Sequence, residues 1–140
     1  MLNALLAVDG SIPADRAAQY LARLARDGAP VEVLLLNVQP EVLPPQTQGM
    51  NPETVLAHRQ EAGRRAAEIA GRVLQAAGIR YELRIETGDP AESITRIAAE
   101  RGTDLIVMGT RGMGALENLV IGSVAYKVVH LAAAAVTLVK

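Results

Sequence analysis

Apolar and polar positions alternate along this chain in two distinct rhythms. Leu2 to Val8 is a short, nearly continuous apolar run, as expected of a strand buried on both faces. Val31 to Val38 and Asp104 to Met108 read the same way, and Ala135 to Val139 reads as a last strand. Helical spacing fills the intervals. After Asp9-Gly10-Ser11, Ser11 can cap a helix and Pro13 suits its first turn. There Ala17, Leu21, Leu24 and Ala25 share one face, Arg16, Arg23 and Arg26 lie elsewhere, and Asp27-Gly28 stops the helix. Pro52 to Ala77 is a long helix in which Glu61–Arg65 and Glu68–Arg72 can pair at i,i+4, each worth a few tenths of a kcal/mol. Gly63 and Gly71 inside it cost about 1 kcal/mol each relative to Ala and mark close packing or a bend. Ile79 to Glu86 alternates strictly, which predicts a half-exposed strand at a sheet edge. Asp89, Pro90 and Glu92 start a helix that runs to about Arg101-Gly102 with Ala91, Ile94, Ile97 and Ala98 inward. Val124 to Ala133 is the final helical pattern.

Strands alternating with helices predict right-handed crossovers and a mostly parallel sheet covered on both faces. The 140 residues suit a single domain, residues 1–140. Ligands of such sheets bind beyond the carboxyl ends of the strands, where the strand order reverses. Asp9, Val38 and Gly109 stand at such ends. Gln39 to Pro52, with Pro40, Pro44, Pro45 and Gly49, is a long loop without pattern. Met50 lies in it, and Met113 lies in the loop after Gly109; either could cover a ligand or simply fill a loop.

Composition narrows the function classes. There is no Phe and no Trp, so bases of a single-stranded nucleic acid would find few stacking partners. Net charge is −1, without the basic excess of a nucleic-acid or anionic-membrane binder. No cysteine means no disulfide or thiolate chemistry. The first residues lack a signal-peptide pattern, and no apolar run approaches the ~20 residues of a membrane span, so a cytoplasmic protein is expected. His58 and His130 have no partner at metal-ligand spacing; His58 is expected in solvent and His130 packed or half-exposed on the last helix. Arg59, Arg64, Arg65 and Arg72, interleaved with Glu61 and Glu68, read as a solvated face.

The most specific pattern is Gly109-Thr110-Arg111-Gly112, then nine residues, then Gly122-Ser123. It joins the end of an apolar strand to the start of a helix. Glycines allow close backbone approach and positive φ, and a helix N-terminus attracts negative charge, so the pattern suits a phosphate. The alternative is a long loop closed by a Gly-Ser helix cap. It is not a P-loop, since no Gly-Lys-Ser/Thr ends it, and not the dinucleotide fingerprint, which follows a first strand. Asp9 reads equally as a ligand or base and as an Asx turn. Arg111 can neutralise phosphate or be solvated.

The glycine spacing after Val107-Met108, together with Val8-Asp9-Gly10-Ser11 and Leu36-Asn37-Val38, resembles the universal stress proteins over essentially the whole chain. In that family the motif identifies members that bind ATP. The resemblance implies an α/β fold of the adenine nucleotide alpha hydrolase-like type: an open five-stranded parallel sheet, order 3-2-1-4-5, with two helices on each side. It places Ala7 in a nucleotide site and Asp9 at the ribose or beside the adenosine. Val38 would meet the adenine through its backbone, and Met108 and Gly109 would flank the nucleoside. Gly112, Gly122, Ser123 and Val124 would hold phosphates, with Arg111 beside them. Mg²⁺ or Mn²⁺ would be held mainly through the phosphates. The implied function is a nucleotide-dependent stress-response regulator or sensor, forming a homodimer through the last strand. A slow ATPase and a nucleotide-free interaction module are the alternatives. No Lys stands in the loop and no Walker-type Asp accompanies it, which disfavours an efficient phosphoryl-transfer enzyme. One departure is Ala132-Ala133-Ala134-Ala135, where the family usually has Pro-Val. It leaves the last connection looser and lets the helix run on.

Overall fold

In a computed structural model, residues 1–41, 49–112 and 120–140 are described. The elements are β1 (Leu2–Ala7), α1 (Ile12–Arg26), β2 (Val31–Gln39), α2 (Pro52–Ala76), β3 (Tyr81–Thr87), α3 (Pro90–Glu100), β4 (Leu105–Gly109), α4 (Ser123–Leu131) and β5 (Ala135–Val139). The strands form one sheet in the order β3-β2-β1-β4-β5, and every pairing is parallel. The continuous apolar runs have the predicted cause. Leu6 and Val8 of the first run and Leu35 of β2 pack with α1 and α2, whereas Leu5, Leu36 and Ile106 pack with α3 and α4. Successive side chains enter opposite cores, so no position in a central strand can be polar without cost.

The caps are those the local chemistry dictates. Ser11 accepts from the N–H of Ala14 at 3.4 Å, Asn51 from Thr54 at 2.8 Å and Asp89 from Glu92 at 3.0 Å. Gly10, at φ 85°, makes the turn out of β1 that a side chain would strain. Gly63 and Gly71 mark close packing. A Cβ on Gly63 would lie 2.6 Å from Ile85, and one on Gly71 would lie 3.0 Å from the Tyr81 hydroxyl. These two glycines let α2 sit directly on β3.

Two local expectations are corrected. Glu61 pairs with Arg64 at 3.4 Å, the i,i+3 neighbour, rather than with Arg65; Glu68 does pair with Arg72. The last helix does not run on through the alanines. Ala132 is extended (φ −70°, ψ 137°) and its N–H bonds to Val128, after which Ala135 pairs with Leu105. Alanine favours helix, but β5 must reach its partner strand, and the tertiary pairing wins.

The two edge strands differ. Along β3, Arg84 bonds Glu86 at 2.6 Å and Arg101, which caps the end of α3, bonds Glu82 at 2.7 Å, so charge guards that edge. Along β5, Ala135-Val136-Thr137-Leu138-Val139 carries no charge.

Candidate functional site

Between β1 and β4 the strand order reverses direction, and the carboxyl ends of these strands face a cavity of about 430 Å³. The parallel topology brings the N-termini of α1, α3 and α4 to the same edge of the sheet. Ala7, Leu36, Val38 and Met108 supply one part of the wall, joined by Ile94 of α3 and Ala125 of α4. This part is apolar because it continues the core beneath α3 and α4. The remainder is polar: Asp9, Ser11, Arg111, Gly112, Gly122 and Ser123, with Gly109 and Val124 between. Every site residue expected from the sequence therefore lines this one cavity: Ala7, Asp9, Val38, Met108, Gly109, Arg111, Gly112, Gly122, Ser123 and Val124.

Of the two roles expected of the motif glycines, positive φ is not used. Gly109, Gly112 and Gly122 all avoid positive φ, so conformational freedom is not their role. Gly109 is buried against the start of α1, where a Cβ would lie 2.6 Å from Pro13 Cβ and 2.9 Å from Pro13 carbonyl carbon. A Cβ on Gly112 would overlap the Asp9 Oδ2 atom. Gly122 leaves more room, the nearest atom being Arg111 Cα at 3.4 Å. Its N–H donates to the Thr110 carbonyl at 2.6 Å, and its extended backbone (φ −76°, ψ 167°) makes it the N-cap of α4. The first-turn N–H groups of α4 have no acceptor within the helix.

Asp9 makes the Asx turn, and it also lines the cavity. Its Oδ1 accepts from the N–H of Ser11 at 3.0 Å, which fixes the carboxylate while Oδ2 abuts Gly112. Asp15, in the first turn of α1, has one buried carboxylate oxygen without a hydrogen-bond partner. Burial and the neighbouring Asp9 raise its pKa above the usual Asp value. Arg111 is partly buried at the cavity. Among the described residues no group of three or more His, Cys, Asp or Glu side chains could hold a metal ion.

Sequence reasoning missed Leu36, Pro90, Ile94 and Ala125 as cavity wall, and the work of Asn37. That buried amide donates to the Val8 carbonyl at 2.8 Å and accepts from Gln39 at 2.6 Å. It ties the end of β2 to the segment carrying Asp9. A polar residue in the middle of an apolar run was the available signal. Asn37→Ala is expected to cost about 1–2 kcal/mol in urea unfolding, because the buried partners lose their bonds. His58 is exposed as expected; His130 is exposed rather than packed and stacks on Tyr126, with ring centroids 6.5 Å apart. Met50 is partly exposed, whereas Met113 lies outside the described residues. No described helix is long and apolar enough to cross a membrane.

Fold and cavity together define a doubly wound α/β protein with a cavity at its topological switch point. The model of the universal stress protein family matches residues 1–140, and the chain belongs to that family. A universal stress protein of Thermus aquaticus is 36% identical over 137 residues, covering 97% of this chain and 96% of the relative. One from Mycolicibacterium smegmatis is 33% identical over 139 residues; the alignment covers 96% of this chain but only 47% of that relative, so this chain spans about half its length. Among solved structures, that of the protein MJ0577 superposes with a TM-score of 0.80 at 25% identity, covering 99% of this chain and 95% of that one. A universal stress protein in complex with cAMP superposes at 0.71 with 23% identity, covering 99% and 97%. An Arabidopsis thaliana member with AMP bound superposes at 0.72 with 24% identity, covering 100% and 92%.

Proposed function

We propose that this protein binds an adenine nucleotide in the cavity at the β1/β4 switch point and acts as a nucleotide-dependent stress-response regulator. The observation that carries this reading is the cavity's division into an apolar part and a polar part. The apolar part offers Ala7, Val38 and Met108 to a flat base. The polar part offers Asp9 to ribose hydroxyls, and the amides of Gly112, Ser123 and Val124, beside Arg111, to phosphates; Gly122, whose N–H is taken by the Thr110 carbonyl, lines the site without offering its amide. The relatives that carry cAMP and AMP support the same ligand class.

Mg²⁺ or Mn²⁺ fits this site as a companion of the phosphates. Asp9 is the only acid among the described residues lining the cavity, and with Asp15 behind it the carboxylates are too few for a protein cage. The same scarcity favours retention of nucleotide over rapid hydrolysis. Denaturing the purified protein in acid and separating the released nucleotides by anion exchange tests this. Bound ATP supports a slow-turnover sensor, whereas ADP or AMP accumulating from added ATP supports the slow ATPase instead.

The uncharged edge of β5 is the proposed homodimer contact. Because Val136 and Leu138 also pack into the core, Thr137→Lys is a cleaner disruption than truncation. It is expected to give soluble monomer in light scattering; an unchanged dimer would place the interface elsewhere.

A further inference from the structure

Two helices wall the cavity, α3 through Pro90 and Ile94 and α4 through Ser123 and Val124. Deep in the seam between them the contacts are apolar: Ile94, Ile97, Ala125 and Val128 share one cluster. Such contacts hold the two helices together. On the solvent-exposed side of the seam Lys127 bridges them. The Lys127 ammonium, one turn beyond Ser123, lies 3.2 Å from Asp89 Oδ2 and 3.4 Å from Glu92 Oε1. Asp89 directly precedes Pro90, and the same Oδ2 accepts the N–H of Glu92 that caps α3. That cap first, and Lys127 with it, holds the Asp89 carboxyl below the usual range, while Asp89 and Glu92 push the lysine up. The bridge is therefore fully charged at neutral pH. We infer that Lys127 is a positioning residue for the bound nucleotide: by clamping the cap of α3 to α4 it sets the separation of Pro90 from Ser123 across the cavity.

The inference rests on the nucleotide reading of the cavity. It has a consequence that a merely stabilising ion pair lacks. An exposed pair adds little to global stability, so its loss should lower ligand affinity while changing unfolding only slightly. It also acts on the cavity's shape, so it should affect ligands with short and long phosphate chains alike.

Isothermal titration of the full chain with AMP and with Mg-ATP tests this, alongside urea unfolding. Lys127→Met is expected to weaken both nucleotides by the same factor, about three- to fivefold, with at most a small drop in the urea midpoint. Lys127→Arg should restore most of the affinity. Asp89→Ser, which keeps a capping hydroxyl, should weaken binding to a similar degree, and the double variant should bind no worse than either single one. Unchanged affinity in Lys127→Met overturns the clamp. So does a loss confined to Mg-ATP, which would make Lys127 a direct phosphate contact, or full additivity with Asp89→Ser. A wild-type protein that binds neither nucleotide overturns the nucleotide reading and the clamp with it, and is distinguished from these by the absence of any wild-type signal.

Discussion

Gly109→Ala is expected to destabilise the protein by about 2–3 kcal/mol, read as a lowered urea midpoint. The added methyl would lie 2.6 Å from Pro13 Cβ, 2.9 Å from the Pro13 carbonyl carbon and 3.1 Å from the Ala14 nitrogen. These atoms belong to a proline ring and to the backbone of the first turn of α1, so none can rotate away. Relief would require α1 to lift from β4, exposing Ala14, Ala17 and Leu21, which are buried in the core beneath it. A variant as stable as wild type would show that α1 does not seat on this glycine.

Gly112→Val separates binding from stability. Its Cβ would collide with Asp9 Oδ2, the movable end of a side chain, and Gly112 itself is exposed. The carboxylate can swing aside, at the loss of its bond from the Ser11 N–H. The fold should therefore survive with a nearly unchanged melting temperature. Nucleotide binding should not. The valine would occupy the polar part of the cavity and displace the group proposed to meet the ribose. Affinity is expected to fall at least tenfold, about 1.4 kcal/mol, in isothermal titration. Binding at wild-type strength would remove Gly112 and Asp9 from the ligand site.

These two glycines also show where sequence reading stops. The motif Gly109-x2-Gly112-x9-Gly122-Ser123 was visible as a motif, but not the reason for each glycine. Those reasons lie in Pro13 and Asp9, far away in the chain, and only the β1/β4 pairing brings them close. The strands were legible because burial on both faces leaves no polar alternation in β1, β2 and β4. The edge position of β3 was legible because it does alternate. The end of α4 was not, since Ala132 to Ala134 favour helix locally and yield only to the pairing of Ala135 with Leu105. Pro90 and Ile94 belong to a helix whose start is obvious. Their place in the cavity follows only once the parallel topology puts that start at the carboxyl edge of the sheet.

The central claim, that the β1/β4 cavity is a nucleotide site, is tested most directly by titrating nucleotide-free protein with Mg-ATP and AMP and following heat and melting temperature together. The account predicts saturable binding with one nucleotide per chain, a rise in melting temperature that grows with ligand concentration, and loss of both signals in Gly112→Val. Absence of heat and of any shift up to millimolar nucleotide would contradict it, and would leave the family fold serving as a nucleotide-free interaction module.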